Sequence, residues 1–190
     1  MPSSFKIRAA LSSDVPVLRQ LIDASVRRLQ YQDYTPQQIE SALRTIFGVD
    51  SQLIGDGTYL LVETVPAASD GDQHPVIVAC GGWSKRKTLY GGDRWRDRQD
   101  DLLDPTSDAA KIRAFFIHPD WARQGIGTVL LDACESAARA EGFTRFEMGA
   151  TLTGAKLFQT RGYVAKERLE VPLEKGITLP VIHMVKEILR

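Results

Sequence analysis

The chain has 190 residues, and its 43% hydrophobic content over that length is enough to bury one well-packed domain. Lysine plus arginine (24) equal aspartate plus glutamate (24), so there is no broad basic field to gather nucleic acid or anionic lipid. No apolar run approaches the roughly 20 residues that cross a bilayer, and MPSSFKIRAALSSD lacks an apolar signal core. A soluble, cytoplasmic protein without nucleic-acid or membrane partners is expected.

FKIRAA (5–10) alternates as a strand does, and Asp14 with Pro16 then opens a helix whose apolar stripe is Val17, Leu18, Leu21, Ile22, Val26 and Leu29. Pro36 opens a second helix, with Ile39, Leu43, Ile46 and Phe47 on one side and Gly48 placed to end it. TYLLVETV (58–65) and VIVACGGW (76–83) are apolar strands joined as a hairpin by PAASDGDQH. Residues 85–108 break this pattern by setting Lys85, Arg86, Lys87, Arg94, Arg96 and Arg98 among six aspartates. That excursion reads either as a solvated surface loop with local ion pairs or as a lid over a site; Trp83, Tyr90 and Trp95 keep the second reading open.

AKIRAFFIHP (110–119) is the next strand, stopped by Pro119, and from about Thr128 a helix turns Leu130, Leu131, Cys134, Ala137 and Ala138 inward, with Gly142 at its end. FTRFEMGA (143–150) is a strand and GAKLFQTRG (154–162) a short helix. YVAKERLEVPL and LPVIHMVKEI are two closing strands joined around EKG. Cys80 and Cys134 lie far apart without CxxC spacing or histidine neighbours, so both read as buried apolar thiols rather than as a disulfide, a metal site or a nucleophile.

The chemistry concentrates in RQGIGT (123–128), where two glycines leave the backbone uncovered immediately before a helix. Free N–H groups and the positive end of the helix dipole make such a place an anion site, most often for phosphate. A dinucleotide fingerprint is excluded: GxGxxG should lie near the first strand, whereas here Gly127 is followed by TVL two-thirds along the chain. A Walker A loop is excluded because no lysine follows either glycine. A plain strand-to-helix turn remains the structural alternative.

Taken together, AFFIHPDW, ARQGIGT, the helix VLLDACESAARAEGF and the later LFQTRGY resemble the GNAT superfamily of N-acetyltransferases, over about residues 5–190. The resemblance implies an α/β (α+β) fold: one domain with a mixed, mostly antiparallel central sheet, flanked by helices and splayed at the strands that bind acetyl-CoA. It implies that Arg123, Gln124, Gly125, Ile126, Gly127 and Thr128 hold the diphosphate of acetyl-CoA. The main chain of Phe115, Phe116 and Ile117, near a bulge, would receive the pantetheine arm and offer an N–H to the thioester oxygen. The donor would be acetyl-CoA, with no metal, and the other partner an amine acceptor; homodimers are common in the family. The loop departs from the family pattern at Ala122, where glutamine or arginine is usual. That is a mild change where main-chain groups do most of the holding.

Direct transfer to an amine needs a proton acceptor, and Glu147 in FTRFEMG is the candidate base or water-positioning group. Its alternative is a structural ion pair with Arg145 or Arg113, and Asp93, Asp97 and Asp104 are weaker rivals. The usual acid is missing, since the family tyrosine is replaced here by Phe158, which has no proton to give. Tyr163, Tyr31 and Tyr34 are substitutes or packing residues, and Thr151 stands where asparagine is usual. Two functions follow: an N-acetyltransferase working by direct attack in a ternary complex, or an acyl-CoA-binding regulatory module with little catalysis. YQDYTPQQIE and the 85–108 excursion lie where the family builds its acceptor pocket, and their mixed charge names no acceptor.

Overall fold

The computed structural model describes residues 5–64 and 74–188. Seven strands form one sheet in the order β1-β2-β3-β4-β5-β7-β6, and every neighbouring pair is antiparallel except β4 with β5. Their ranges are β1 Phe5–Ala9, β2 Tyr59–Thr64, β3 Val76–Ser84, β4 Ala110–Ile117, β5 Arg145–Thr151, β6 Val164–Pro172 and β7 Thr178–Glu187. The helices are α1 Val15–Leu29, α2 Pro36–Thr45, α3 Ser51–Gly55, α4 Ile126–Ala140 and α5 Leu152–Thr160. The fold class implied by the sequence is the one observed. β2 and β3 pair as expected of a hairpin, while most of the PAASDGDQH connection lies outside the described residues.

Helices cover both faces because each strand carries apolar residues on alternate sides. On one face Leu18, Ile22 and Val26 of α1, Ile39 of α2 and Leu53 of α3 meet Tyr59, Leu61 and Leu179 of the sheet. On the other, Leu130, Leu131 and Cys134 of α4 meet Val78, Phe146 and Met148. Each leucine, fully buried, contributes about 1.5–3 kcal/mol relative to exposure. Val17, expected in the α1 stripe, is instead 46% exposed.

At helix ends the residue type alone does not settle the cap. Asp14 occupies the N-cap position of α1 but makes no side-chain cap bond. Its carboxylate takes two bonds from the Arg8 guanidinium, at 2.7 and 2.9 Å, and one from the Leu11 amide. Thr35 caps α2 in a reciprocal box with Gln38. The short helix α3 was not anticipated; Asp50 caps it by accepting from the Leu53 amide. Both cysteines are buried and free, and burial pushes the Cys80 thiol up to about 12.

Candidate active site

The site begins with an irregularity in β4. Gly82 pairs with Arg113 and Cys80 with Phe116, so Ala114 and Phe115 together oppose Gly81, which is a bulge. Ala114 takes φ +53°, a left-handed conformation rare for alanine. The bulge lays the Phe115 ring over Gly81, where a Cβ would meet ring carbons at 2.4 and 2.5 Å. A side chain at position 81 would have to displace that ring.

Beyond the bulge the sheet opens. β4 and β5 pair only at Ala110↔Phe146 and Lys111↔Glu147, after which the two strands part. Between them lies a cavity of about 730 Å³, walled by Phe115, Phe116 and Ile117 on one side and by Met148, Gly149, Ala150 and Thr151 on the other. The Ile117 amide is partnered by the Ser25 hydroxyl at 3.3 Å, and Ser25 also lines the cavity.

The glycine loop opens into the same space. Arg123, Gly125, Ile126, Gly127 and Thr128 all line it. Gly125, at the N-cap of α4, has φ +82°, and nothing lies within 4 Å of where its Cβ would be. The Thr128 and Val129 amides return to the Gly125 carbonyl at 3.0 and 3.2 Å, so the helix ladder leaves the earlier amides free to meet an anion. Gly127 is glycine for a different reason: a Cβ there would stand 2.8 Å from Leu157 and 3.0 Å from Ile117. It lets α4 approach α5 and β4 closely. Gln124, expected among the binding residues, does not line the cavity; its side chain donates to the Asp120 carbonyl at 3.4 Å.

Farther along β4 the cavity is bounded by Phe47, Gly48, Tyr90, Gly91, Gly92 and Arg113. Here the charged excursion is pinned rather than free. The Arg86 guanidinium grips Asp56 at 2.7 and 2.9 Å, Thr88 exchanges bonds with Gln99, and Asp93 accepts from Ser51. The Tyr90 and Trp95 rings lie 5.4 Å apart, and Tyr90 covers Gly149. The segment is thus a fixed wall of the cavity. Beneath it Arg113, 3% exposed, donates through Nη2 to Asp50 and to the Gly91 carbonyl. Asp50 is fully buried and also receives Arg98 at 3.2 Å. Burial pulls the Arg113 pKa down and Asp50 opposes that fall.

Residues 104–188 match the family model described as an acetyltransferase (GNAT) domain. Over 99% of this chain and 98% of the other, the structure is similar to a GCN5-related N-acetyltransferase of Rhodopseudomonas palustris, at 26% identity and a TM-score of 0.67. It is also similar to the PaiA N-acetyltransferase of Thermoplasma acidophilum solved with coenzyme A, at 12% identity and a TM-score of 0.60, covering 97% and 99% of the two chains. A ribosomal-protein-alanine N-acetyltransferase of Brucella melitensis follows at 16% identity and 0.57, covering 96% and 99%. The fold is that of the GNAT acetyltransferases. The match supports an acyltransferase; none of the curated proteins matches this chain.

Within this GNAT fold, Glu147 stands outside the cavity lining. Its carboxylate is held by Lys111 on one oxygen and by His183 Nε2 at 2.8 Å on the other. It is paired with neither Arg145, which donates to the Ser107 carbonyl, nor Arg113. Burial pulls the Lys111 pKa down to about 8, with Asp108 opposing. Asp93 and Asp104 are engaged locally, by Ser51 and by Thr106, and neither they nor Asp97 line the cavity. Among the described residues the one carboxylate that does is Asp33, which accepts from the Thr153 hydroxyl at 2.6 Å. It lies in YQDYTPQQIE, the segment expected at the acceptor pocket, where no local motif distinguishes it.

The absent acid is also visible. Phe158 is buried edge-on between Phe115 and Tyr163, with centroids 5.8 and 5.9 Å away. The Tyr163 hydroxyl donates to Glu135 at 2.9 Å, and that of Tyr34 bridges the Pro180 carbonyl and the Leu152 amide. Tyr31 is 62% exposed and accepts from Gln32. Tyr90 is the tyrosine that lines the cavity, and burial raises its pKa, keeping it protonated. Thr151 accepts from the Gly154 amide and so caps α5. Among the described residues no group of three or more His, Cys, Asp or Glu is placed to hold a metal ion, and no helix is long and apolar enough to cross a membrane.

Proposed function

We propose that residues 5–190 act as one N-acetyltransferase domain that moves the acetyl group of acetyl-CoA to a primary amine by direct attack in a ternary complex. One observation carries the reading: the cavity made by the parting of β4 and β5 is continuous with a left-handed Gly125 loop heading α4. A diphosphate fits there, since the space beside Gly125 is open and Arg123 and Lys156 are among the cations of the lining. Arg123, Gly125, Ile126, Gly127 and Thr128 would hold the diphosphate. The bulged backbone at Phe115 and Phe116 would align the pantetheine arm like an added strand and place an amide toward the thioester oxygen.

Positioning supplies much of the rate in such a reaction. Asp33 takes the proton from the acceptor's ammonium, directly or through water, and so frees the neutral amine that attacks the thioester; it is the carboxylate on the cavity wall. Glu147 holds Lys111 and His183 behind that wall. The Tyr90 hydroxyl is the donor open to the departing thiolate, a role Phe158 cannot fill. The test is CoA release from acetyl-CoA across a panel of amino acids, polyamines, peptides and amino sugars, with calorimetric titration of CoA alongside. Turnover with any of these amines supports the transferase; tight CoA binding without turnover favours a regulatory binding module; no binding removes both.

A further inference from the structure

The two ends of the cavity offer different chemistry, and the end away from the glycine loop contains a cation with unused donors. Arg113 spends only Nη2, on Asp50 and the Gly91 carbonyl, while its Nε and Nη1 are buried without any hydrogen-bond partner. Buried guanidinium donors are seldom left so, because each is costly to remove from water without a replacement. The residue is 3% exposed yet lines the cavity, so an oxygen reaching it would come from a bound molecule. Charge points the same way. Arg98 and Arg113 share one buried carboxylate, Asp50, and the next anion, Asp100, is 3.8 Å from Arg98 and 61% exposed. The buried cluster is therefore short by one negative charge.

Building on the acetyltransferase reading, we propose that the acceptor is an amine that also carries a carboxylate, an amino-acid-like molecule, and that Arg113 is the specificity residue that receives this carboxylate through Nη1. A guanidinium N–H given to a carboxylate oxygen is a charge-assisted hydrogen bond, shorter and stronger than a neutral one. Phe47 and Phe116, edge to face at 5.9 Å, with Leu179 and Val181, make the surroundings apolar, so the substrate's body would be apolar as well. Asp33, which also lines the cavity, would meet the amine. A polyamine would bring positive charge to Arg113 and is disfavoured.

The experiment compares matched pairs that differ only by the carboxylate: leucine with 3-methylbutylamine, phenylalanine with phenethylamine, methionine with 3-(methylthio)propylamine, and 5-aminovalerate with butylamine. Each is tested for CoA release from acetyl-CoA and, by calorimetry, for binding to the protein saturated with CoA. The best carboxylated member should exceed its partner at least about a hundredfold in kcat/KM or in affinity, since sites built to pair a polar group reject analogues lacking it strongly. In Arg113→Lys, which keeps a charge opposite Asp50, that ratio should fall about tenfold. In the double variant Arg113→Met/Asp50→Asn, which removes Arg113 together with its anion and leaves Arg98 beside Asp100, it should approach one. Melting curves establish that each variant is folded. Ratios near one in the wild type, turnover confined to amines without a carboxylate, or no binding by any carboxylated amine would overturn the proposal. Those results leave the transferase reading intact wherever some amine is acetylated; loss of CoA binding and of all turnover would instead count against that reading.

Discussion

The two ends of the cavity are built in opposite ways. At the Gly125 end the binding groups are backbone amides from one short stretch, residues 123–128, and their geometry follows from a left-handed glycine before a helix. At the Arg113 end the groups are side chains from residues 50, 98 and 113, brought together by β4, α3 and the pinned excursion. A backbone site is specified locally and tolerates changed side chains, as Ala122 illustrates. A side-chain site depends on pairings across dozens of residues, and removal of one member exposes the others.

Changes to the proton acceptor and to that side-chain cluster should therefore have the largest effects. Asp33→Asn should lower kcat/KM by roughly 10²–10⁴-fold at neutral pH, the range of general-base help, whereas Glu147→Gln, behind the wall, should change it by less than about tenfold. The reverse ranking in steady-state assays would return the base to Glu147. Asp50→Ala strands Arg113 and Arg98 without their shared anion and should cost about 3–5 kcal/mol in urea unfolding; a loss under about 1 kcal/mol would mean that the cluster is hydrated. Gly81→Ala tests the junction between the two ends. Its Cβ must push the Phe115 ring from its place, costing about 1–3 kcal/mol and weakening CoA binding as the cavity wall moves. Unchanged stability and CoA affinity would show that the bulge is not held by this contact.

The same contrast explains what was legible in the sequence. Periodicity gave the strand and helix order, and the loop signature RQGIGT is carried by consecutive residues. Boundaries slipped where capping was judged from residue type alone: Asp14 serves Arg8 instead of its helix, and α4 begins at Ile126, two residues before Thr128. Gly127 belongs to the same loop, and the close approach of Leu157 and Ile117 that also requires glycine there is not carried by the loop signature. Glu147 was singled out as a carboxylate in an apolar strand, yet Arg113, two positions beyond Lys111 in another such strand, carried the same kind of signal. Which of them meets the cavity depends on the bulge at Ala114 and on Asp50 arriving from α3, and neither is written in local spacing.

Calorimetric titration of CoA into the wild type, Gly125→Asn and Gly125→Asp tests the central claim most directly. Asparagine tolerates the left-handed conformation, the space beside Gly125 is open, and the two variants differ in one charge. The account predicts that all three proteins fold and that Gly125→Asp binds CoA at least about tenfold more weakly than Gly125→Asn, because its carboxylate stands against the diphosphate. Equal affinity in the three proteins would contradict binding at this loop.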